Sequence, residues 1–247
     1  MKNNIKEFKR LFKKIKNKGF IETKRHGNTG IGKTFEDVCG IVENNVGKPD
    51  FRGIEIKSQR NYTGSYITLF TKAPTYPLRV NTLLREKYGS FDVKFPDMKV
   101  LHTSVFAKDY NTHKSGFGYK LEVDKKNKKI FLLIKDLKNN KVLEKNIYWS
   151  FEVLDYIIEN KLKYIAFITA HTKEKNNKEF FHFTKATLLK EFSFNKFIEL
   201  LLNNLIMFDI RIGVYKSGKN KGRTHDHGSG FRMSKKSLPI AFEIEEI

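Results

Sequence analysis

Hydrophobic residues recur every three or four positions in several segments of the chain, which is the spacing of amphipathic helices. An amino-terminal helix with a basic outer face is predicted up to Gly19, where the pattern ends. A second helix follows the glycine-rich GNTGIGKT, where Thr34 and Asp37 have the spacing of a capping box. Further helices are predicted at 151–158 and 194–205. The apolar positions of the first two helices are Ile5, Phe8, Leu11, Phe12, Ile15, Phe35, Val38 and Val42.

Between these helices, alternation and short apolar runs predict a set of β-strands. The residues from Ile54 to Lys57 alternate, so that the two isoleucines share one face and the two charged residues the other. A Lys-Asn-Asn turn at 138–140 predicts a hairpin. From about 81 to 129 the pattern is weak and polar and predicts a long loop region. The other strand-like runs are 20–23, 66–70, 130–135, 142–148, 164–170, 180–184 and 208–215.

This mixture of helices and strands indicates a mixed α/β or α+β protein. Pro74 and Pro77 mark a break after the run at 66–70. Neither an internal repeat nor a low-complexity linker separates independent domains. We therefore expect the 247 residues to form one unit with two lobes.

The charge balance narrows the class of partner. Lysine and arginine exceed the acidic residues by 21 charges, and such an excess repels itself unless a polyanion is the partner. Nucleic acid is the obvious polyanion. The alternative is an enzyme with another activity and a lysine-rich, solvated surface.

Cysteine content and hydropathy indicate in which cellular compartment the protein is expected. Cys39 is the single cysteine, so an internal disulfide or a cysteine-based zinc cluster is excluded. The amino terminus is too charged for a signal peptide, and no apolar run reaches the length of a transmembrane helix. We expect a cytoplasmic protein without a membrane partner. The alternative is that the basic amphipathic terminus lies on a membrane surface.

The segment from Gly27 to Thr34 matches the P-loop pattern G-x-x-x-x-G-K-[ST] letter for letter. A P-loop follows a buried parallel strand, whose end places the backbone amides around phosphates. The preceding residues, IETKRH, are polar and charged instead. We therefore expect no nucleotide triphosphate as a partner, and a contact with a DNA phosphate suits the charge better.

The segment PDFRGIEIK at 49–57 carries the chemistry on which the functional interpretation depends. Hydrolysis of a phosphodiester needs an activated water and stabilisation of charge on the phosphorus, and Mg²⁺ bound by a few carboxylates supplies most of this. Asp50 and Glu55 are candidate ligands, and Lys57 would reach the same place from the same face of a strand. The ammonium would orient the attacking water. The alternative is a surface strand with paired charges.

Glu36 is a further acidic candidate. It is expected in the first turn of the helix that follows the glycine-rich segment. A carboxylate there is either a partner of the helix dipole or a third acidic group for the metal.

The carboxy-terminal region combines residues suited to reading bases. Alternation places Asp209 and Arg211 on one face of a strand, and a Gly/Lys/His-rich loop follows. Arginine binds guanine in the major groove, and aspartate accepts from cytosine N4, so this set suits G·C pairs. A transition-metal site at the two loop histidines and a merely solvated loop are the alternatives. The candidate DNA-binding residues are Asp209, Arg211, His225, Asp226, His227 and Arg232.

Taken together, these segments resemble the restriction endonucleases of the MvaI/BcnI family. The resemblance rests on several anchors that occur in order along most of the chain. They are ETKRHGNTGIGKTFED, PDFRGIEIK, TLFTKAPTYP, IYWSF, KLKYIAFITA and DIRIGVYKSGKNKGRTHDHGSGFR.

The resemblance implies a PD-(D/E)XK nuclease fold, with a mixed central sheet flanked by helices and two lobes that form a DNA-binding cleft. The catalytic lobe would centre on 1–75, and the recognition lobe would include roughly 200–247. The family's active site falls on Glu36, Asp50, Glu55 and Lys57, with Asp50 and Glu55 as metal ligands. Its base-reading segment falls on the six carboxy-terminal candidates named above.

The resemblance also implies the activity. We expect a type II restriction endonuclease that cuts double-stranded DNA with Mg²⁺ at a CC(A/T)GG-like site, as a monomer acting on one strand at a time. No obligate protein partner is expected, because the cognate methyltransferase acts on the same site and is not a subunit. A MutH-like mismatch-repair nickase and a non-catalytic DNA- or RNA-binding protein are the alternatives.

Overall fold

The computed structural model describes residues 1–25, 27, 29–41, 49–61 and 66–247. Contacts divide the chain into two compact units, each built from segments distant in sequence. The first unit comprises Met1–Ser65, Ile157–Ser193 and Pro239–Ile247, and the second comprises Tyr66–Tyr156 and Phe194–Leu238. Their interpretation as catalytic and recognition lobes stays a prediction. None of the described helices is long and apolar enough to cross a membrane.

The helices and strands alternate along the chain. The helices are α1 (Lys2–Lys16), α2 (Gly30–Cys39), α3 (Val80–Tyr88), α4 (Phe151–Lys161), α5 (Phe194–Leu202) and α6 (Leu238–Ala241), and a 3₁₀ helix covers Lys235–Ser237. The strands are β1 (Ile21–Glu22), β2 (Glu55–Arg60), β3 (Tyr66–Thr71), β4 (Ser90–Phe91), β5 (Lys99–Val105), β6 (Phe117–Asp124), β7 (Lys129–Asp136), β8 (Val142–Ser150), β9 (Tyr164–Lys175), β10 (Lys178–Lys190), β11 (Ile206–Val214), β12 (Thr224–Asp226), β13 (Gly230–Ser234) and β14 (Glu243–Glu246).

The first unit is built on a mixed sheet of order β1-β10-β9-β2, with β14 also paired to β10. Strand β2 pairs in parallel with β9, with Glu55 opposite Ile165, while the other pairs are antiparallel. Helices α1 and α2 cover one face, so the mixed α/β architecture expected from the sequence is confirmed.

The core of the first unit lies between these two helices and the sheet. Phe8, Phe12 and Ile15 of α1 are buried, as the helical spacing predicts. They meet Phe35 of α2, whose ring centroid lies 5.0 Å from that of Phe183 on β10. Ile54 and Ile56 belong to the same cluster, so the motif strand turns its apolar face to this core. Val42, predicted to extend the face of α2, lies outside the described residues.

The second unit contains two sheets. One has the order β3-β13-β11-β5-β4, with β12 paired to β11, and the other has the order β6-β7-β8. Trp149 of β8 is fully buried, with its ring centroid 4.6 Å from Phe208 of β11 and 5.3 Å from Phe231 of β13. Its indole N–H donates to the carbonyl of Lys72. The predicted hairpin at 130–148 is confirmed as β7 and β8.

The expectation of a long loop from 81 to 129 is wrong. This part of the chain contains most of α3 together with β4, β5 and β6. Strand β5 lies inside its sheet, yet polar residues such as Thr103 and Ser104 occupy positions opposite Ile210 and Asp209 of β11. Its apolar residues therefore do not alternate regularly, and the periodic signal of a strand is weak.

The start of α2 also differs from the prediction. Thr29 is the N-cap residue. Thr34 lies inside the helix, where its hydroxyl is 2.7 Å from the Gly30 carbonyl and 2.8 Å from Thr23 Oγ1. The helix therefore incorporates Gly30 and Gly32, which were expected to lie in a loop. Glu36 consequently lies near the carboxyl end of α2 and not in its first turn, so a favourable interaction with the amino-terminal dipole is excluded.

The strand before the glycine-rich segment does not resemble the strand of a P-loop. Strand β1 has only two residues and pairs antiparallel with β10. A P-loop needs a buried parallel strand at this place. The described residues of the segment, which leave out Asn28, thus support the rejection of the motif.

Removal of the Phe35 ring should destabilise the first unit strongly. The side chain is fully buried, and Phe→Ala substitutions at such sites cost about 3–5 kcal/mol, because a cavity replaces the lost contacts. Phe91→Ala is the matched control, since Phe91 is 61% exposed; we expect it to cost less than about 1 kcal/mol. Chemical denaturation measures both, and equal losses would contradict the assignment of Phe35 to the core.

Candidate functional site

A two-residue turn brings the acidic residues of the PDFRGIEIK segment together. Phe51 and Ile54 form an isolated antiparallel bridge, in which each N–H donates to the other's carbonyl at 2.9 and 2.8 Å. The two residues between them have positive φ, 45° at Arg52 and 90° at Gly53. This is the backbone geometry of a tight hairpin turn, which favours glycine and asparagine. It reverses the chain between Asp50 and the strand that carries Glu55.

Asp50 is held against the beginning of that strand. Its Oδ2 accepts a hydrogen bond from the Ile56 backbone N–H at 2.8 Å. Strand β2 lies at the end of the sheet order, so this N–H would otherwise be an unpaired donor on a sheet edge. The carboxylate therefore satisfies the edge of β2 and is fixed beside Glu55.

Glu55 and Lys57 share one face of β2, as the alternation predicts. Lys57 Nζ lies 3.4 Å from Glu55 Oε1, and the Glu55 side chain is only 12% exposed. Burial raises the pKa of Glu55, and the negative charge of Asp50 adds to this effect. The charge and hydrogen bond of Lys57 oppose it. The site thus concentrates negative charge in a place with little water.

The carboxylates fit a small divalent cation. Glu55 Oε2 is buried and has no hydrogen-bond partner among the described residues, so it is left to accept from another group. Two carboxylate groups are a typical protein contribution to a Mg²⁺ site, where water and phosphate oxygens complete the coordination. Asp50 and Glu55 would supply the protein ligands.

Glu36 does not join these two carboxylates. Among the described residues, no three histidine, cysteine, aspartate or glutamate side chains form a group able to hold a metal ion. Glu36 lies in the last turn of α2. Burial of the Cys39 thiol, together with the smaller effect of the Glu36 charge, raises the pKa of Cys39 to about 12. A role of Glu36 in catalysis stays a prediction.

Lys161 is a charged residue of this site that the sequence analysis missed. It is the last residue of α4, and β9 begins three residues later. In the pairing of β9 with β2, Ile165 lies opposite Glu55. The register brings the end of α4 to the beginning of β2, and the positive charge of Lys161 lowers the pKa of Glu55. KLKYIAFITA marks the following strand, but the partner of that strand cannot be read from the sequence.

A second group of polar side chains lies on one face of the sheet in the second unit. Asp209 and Arg211 of β11 stand opposite Ser104 and His102 of β5, and cross-strand partners share a face. Asp209 accepts from the Ser104 hydroxyl at 3.2 Å, and its Oδ2 lies 3.0 Å from Arg232 Nε. The predicted residues Asp209, Arg211 and Arg232 are therefore brought together.

Asp226 has a mainly structural part in the loop after β11. Its Oδ1 accepts from the backbone N–H of Gly228 and from the N–H and hydroxyl of Ser229. Its Oδ2 accepts from Asn81 of α3 at 2.7 Å. Both oxygens are engaged within the unit, and a contact of Asp226 with DNA stays a prediction.

The two loop histidines lie over the same face. His225 Nδ1 is 2.9 Å from the Tyr215 hydroxyl, and its ring centroid is 4.5 Å from that of His227. A Cβ at Gly213 would lie 2.8 Å from His227 Nε2 and 3.2 Å from His102 Nε2, so glycine leaves room for both rings. Partial burial lowers the pKa of His102 and His227, and neighbouring positive charge, including that of Arg211, adds to it. The surroundings of His102 and His227 therefore favour the neutral form of both rings.

His102, Ser104 and Tyr215 belong to this face but were not predicted. His102 and Ser104 fall in the region with weak periodicity, where no strand was expected. Tyr215 directly follows β11 and was counted only as the end of a strand. A search for polar residues opposite Asp209 and Arg211 could find them only once the pairing of β5 with β11 is known.

The comparisons with known proteins agree with this geometry. The sequence model of the MvaI/BcnI restriction endonuclease family matches residues 9–242. The structure of restriction endonuclease MvaI with its cognate DNA substrate is similar at 37% identity and a TM-score of 0.91, with 100% of this chain and 99% of that chain covered. MvaI in the absence of DNA gives 37% identity and a TM-score of 0.62, with 100% and 98% covered. No curated protein sequence matches the chain.

The mixed α/β fold is therefore that of a restriction endonuclease, with an acidic pair and a lysine at the start of an edge strand. The chain belongs to the MvaI/BcnI restriction endonuclease family, and it is a site-specific deoxyribonuclease. The resemblance expected from the sequence is confirmed.

The buried charge of Glu55 should cost stability in the metal-free protein. A raised folded-state pKa means that folding disfavours the charged form, so the cost is present above that pKa and vanishes as the pH falls toward the ordinary value of 4.5. Glu55→Gln should therefore raise the melting temperature at pH 7 by a few degrees, with a smaller gain at lower pH.

Glu159→Gln is the control for this measurement, because the Glu159 side chain is 48% exposed. It should shift the melting temperature by less than about 1 °C. A lower melting temperature for Glu55→Gln at pH 7, in the presence of a chelator, would contradict the stated cost.

Proposed function

We propose that the protein is a type II restriction endonuclease that hydrolyses double-stranded DNA with Mg²⁺ at a CC(A/T)GG-like site. It would act as a monomer on one strand at a time. The observation that carries the proposal is the buried Glu55 carboxylate, with Asp50 and Lys57 beside it, in a chain of the MvaI/BcnI family. The DNA complex of the similar MvaI supports a DNA duplex as the partner.

Asp50 and Glu55 would hold the Mg²⁺ ion. Bound there, the ion would lower the pKa of a water molecule and offset charge on the phosphate. Glu55 Oε2, which accepts no hydrogen bond from any residue that the structure describes, supports this assignment. The mutual repulsion of the two carboxylates, which a cation would relieve, also supports it.

Lys57 would position the attacking water. Its ammonium lies on the same face of β2 as Glu55 and within 3.4 Å of Oε1, so it reaches the region between the carboxylate and an approaching phosphate. A fixed ammonium there would also stabilise the negative charge that develops in the transition state. Lys161 would add positive charge on the α4 side. Glu36 would assist, as the family resemblance implies.

The polar face of the second unit would read the bases. Arg211 and Arg232 suit the guanine acceptors of the major groove, and Asp209, between them, suits a cytosine amino group. His225, Asp226 and His227 would add donors and acceptors, and the internal bonds of Asp226 would also shape their loop. A set of this kind fits the G·C pairs of the proposed site.

Cutting and base reading would reside in different compact units of the chain. We assign cutting to the first unit, which carries Asp50, Glu55 and Lys57, and sequence reading to the second, which carries the polar face. Both activities would reside in one chain, with no obligate protein partner. The cognate methyltransferase would recognise the same DNA site as a separate enzyme.

A plasmid digest tests the catalytic assignment. With Mg²⁺, the wild-type chain should give discrete fragments from a plasmid that carries CCAGG or CCTGG sites. Lys57→Ala should slow cleavage by about 10²–10³-fold, because a preorganised charge at the reacting phosphate is lost.

Lys175→Ala, which removes an exposed lysine of the same unit, should cut like wild type. Intact plasmid with the wild-type chain and Mg²⁺ would refute the proposed function. Cleavage only of hemimethylated DNA would instead favour the mismatch-repair nickase.

A binding measurement in Ca²⁺ tests the base-reading face. Arg211→Ala should weaken binding to the site-bearing duplex by about 1–3 kcal/mol and relax its preference over a duplex with one G·C pair changed. Lys219→Ala, in the exposed loop, should weaken binding to both duplexes equally. It should also lower the salt dependence of binding by about one phosphate contact. Equal weakening of both duplexes by Arg211→Ala would assign Arg211 to the DNA backbone.

A further inference from the structure

The turn that precedes Glu55 has an unfavourable backbone. Arg52 adopts a φ of 45°, in the left-handed region, although it has neither the freedom of glycine nor the short polar side chain of asparagine. Such a residue persists when its surroundings determine its conformation. The Phe51–Ile54 bridge supplies part of that constraint, and further contacts come from outside the PDFRGIEIK segment.

The beginning of α1 contacts this turn through residues that lie three positions apart, on one face of the helix. The Asn4 side-chain amide donates to the Arg52 carbonyl at 2.8 Å, and Glu7 forms an ion pair with the Arg52 guanidinium at 2.5 Å. The Met1 side chain lies over Gly53, where its Cε is 3.0 Å from the place a Cβ would occupy.

The contact continues into the core of the first unit. Phe8, on the same helix, packs edge-on against Phe51, with 5.6 Å between ring centroids. Residues more than forty positions apart in the sequence therefore hold the turn on the side of α1.

We propose that the first two turns of α1 act as a clamp that fixes the Arg52-Gly53 turn and so positions Asp50 for catalysis, a role that rests on the proposed function. Asn4 and Glu7 are its positioning residues. The path is short, because Asp50 lies two residues before Arg52, and its carboxylate is bonded to the Ile56 N–H across the turn. Both the Asn4 bond and the Glu7 pair are exposed, so each contributes modestly and the two contacts together hold the turn.

The test is the double substitution Asn4→Ala/Glu7→Ala, which leaves the buried face of α1 unchanged. Hydrogen exchange at the Ile56 amide, measured without metal, should accelerate about tenfold, because a looser turn frees the Asp50 carboxylate. The single-turnover cleavage rate at saturating DNA and Mg²⁺ should fall about tenfold or more, since small misplacements of reacting groups are costly. The dissociation constant for the site-bearing duplex should stay within about twofold.

A rescue separates positioning from general support. Arg52→Asn, added to the double variant, should restore both the Ile56 exchange and the cleavage rate, because asparagine adopts the left-handed conformation readily. Lys13→Ala/Lys14→Ala is the control on α1, since both lysines are exposed at the other end of the helix. It should change neither quantity.

Wild-type exchange at Ile56 in the double variant would overturn the clamp, and so would a slower cleavage that Arg52→Asn fails to restore. If the wild-type chain does not cut DNA, the proposed function fails, and the exchange at Ile56 still decides whether the clamp exists. If the chain cuts and the exchange is unchanged, the clamp fails alone.

Discussion

The hydrogen bond from the Ile56 N–H to Asp50 Oδ2 is the constraint on which the candidate active site depends. A sheet edge leaves backbone donors without partners, and here a carboxylate satisfies one of them. The same bond fixes the Asp50 carboxylate next to Glu55. One interaction therefore satisfies the edge of the sheet and also brings the two acidic residues together. The turn at Arg52-Gly53 makes it possible, and α1 supports that turn.

The rest of the first unit holds two acidic groups close together against their repulsion. Ile54 and Ile56 anchor the strand in an aromatic core, which puts Glu55 and Lys57 on the opposite face. Glu55 is consequently buried, and one of its oxygens has no partner in the part of the chain that the structure describes, an arrangement that costs stability without a cation. Such a cost is typical of functional sites, where environment and charge are arranged for a ligand and not for the folded state alone.

The side chains on the polar face of the second unit are also held in place by contacts between distant parts of the chain. Cross-strand pairs place Asp209 and Arg211 beside Ser104 and His102, and a glycine at position 213 admits the imidazole rings of His102 and His227. The internal bonds of Asp226 fix the loop that carries the histidines. A face held by its own hydrogen bonds presents a defined pattern of donors and acceptors, which base recognition requires.

The sequence by itself determined α1, the motif strand and the β7–β8 hairpin, because local periodicity and turn residues specify them. It also determined that Glu55 and Lys57 share one face, since the alternation of a strand fixes that face, and it made them candidates for the chemistry. Only the tertiary structure decided the position of Glu36, the part of Asp226 and the contributions of Lys161 and His102. The physical reason is that strand pairing and helix contacts join residues far apart in the chain. The pairing of β2 with β9 and of β5 with β11 leaves no signature within either strand alone.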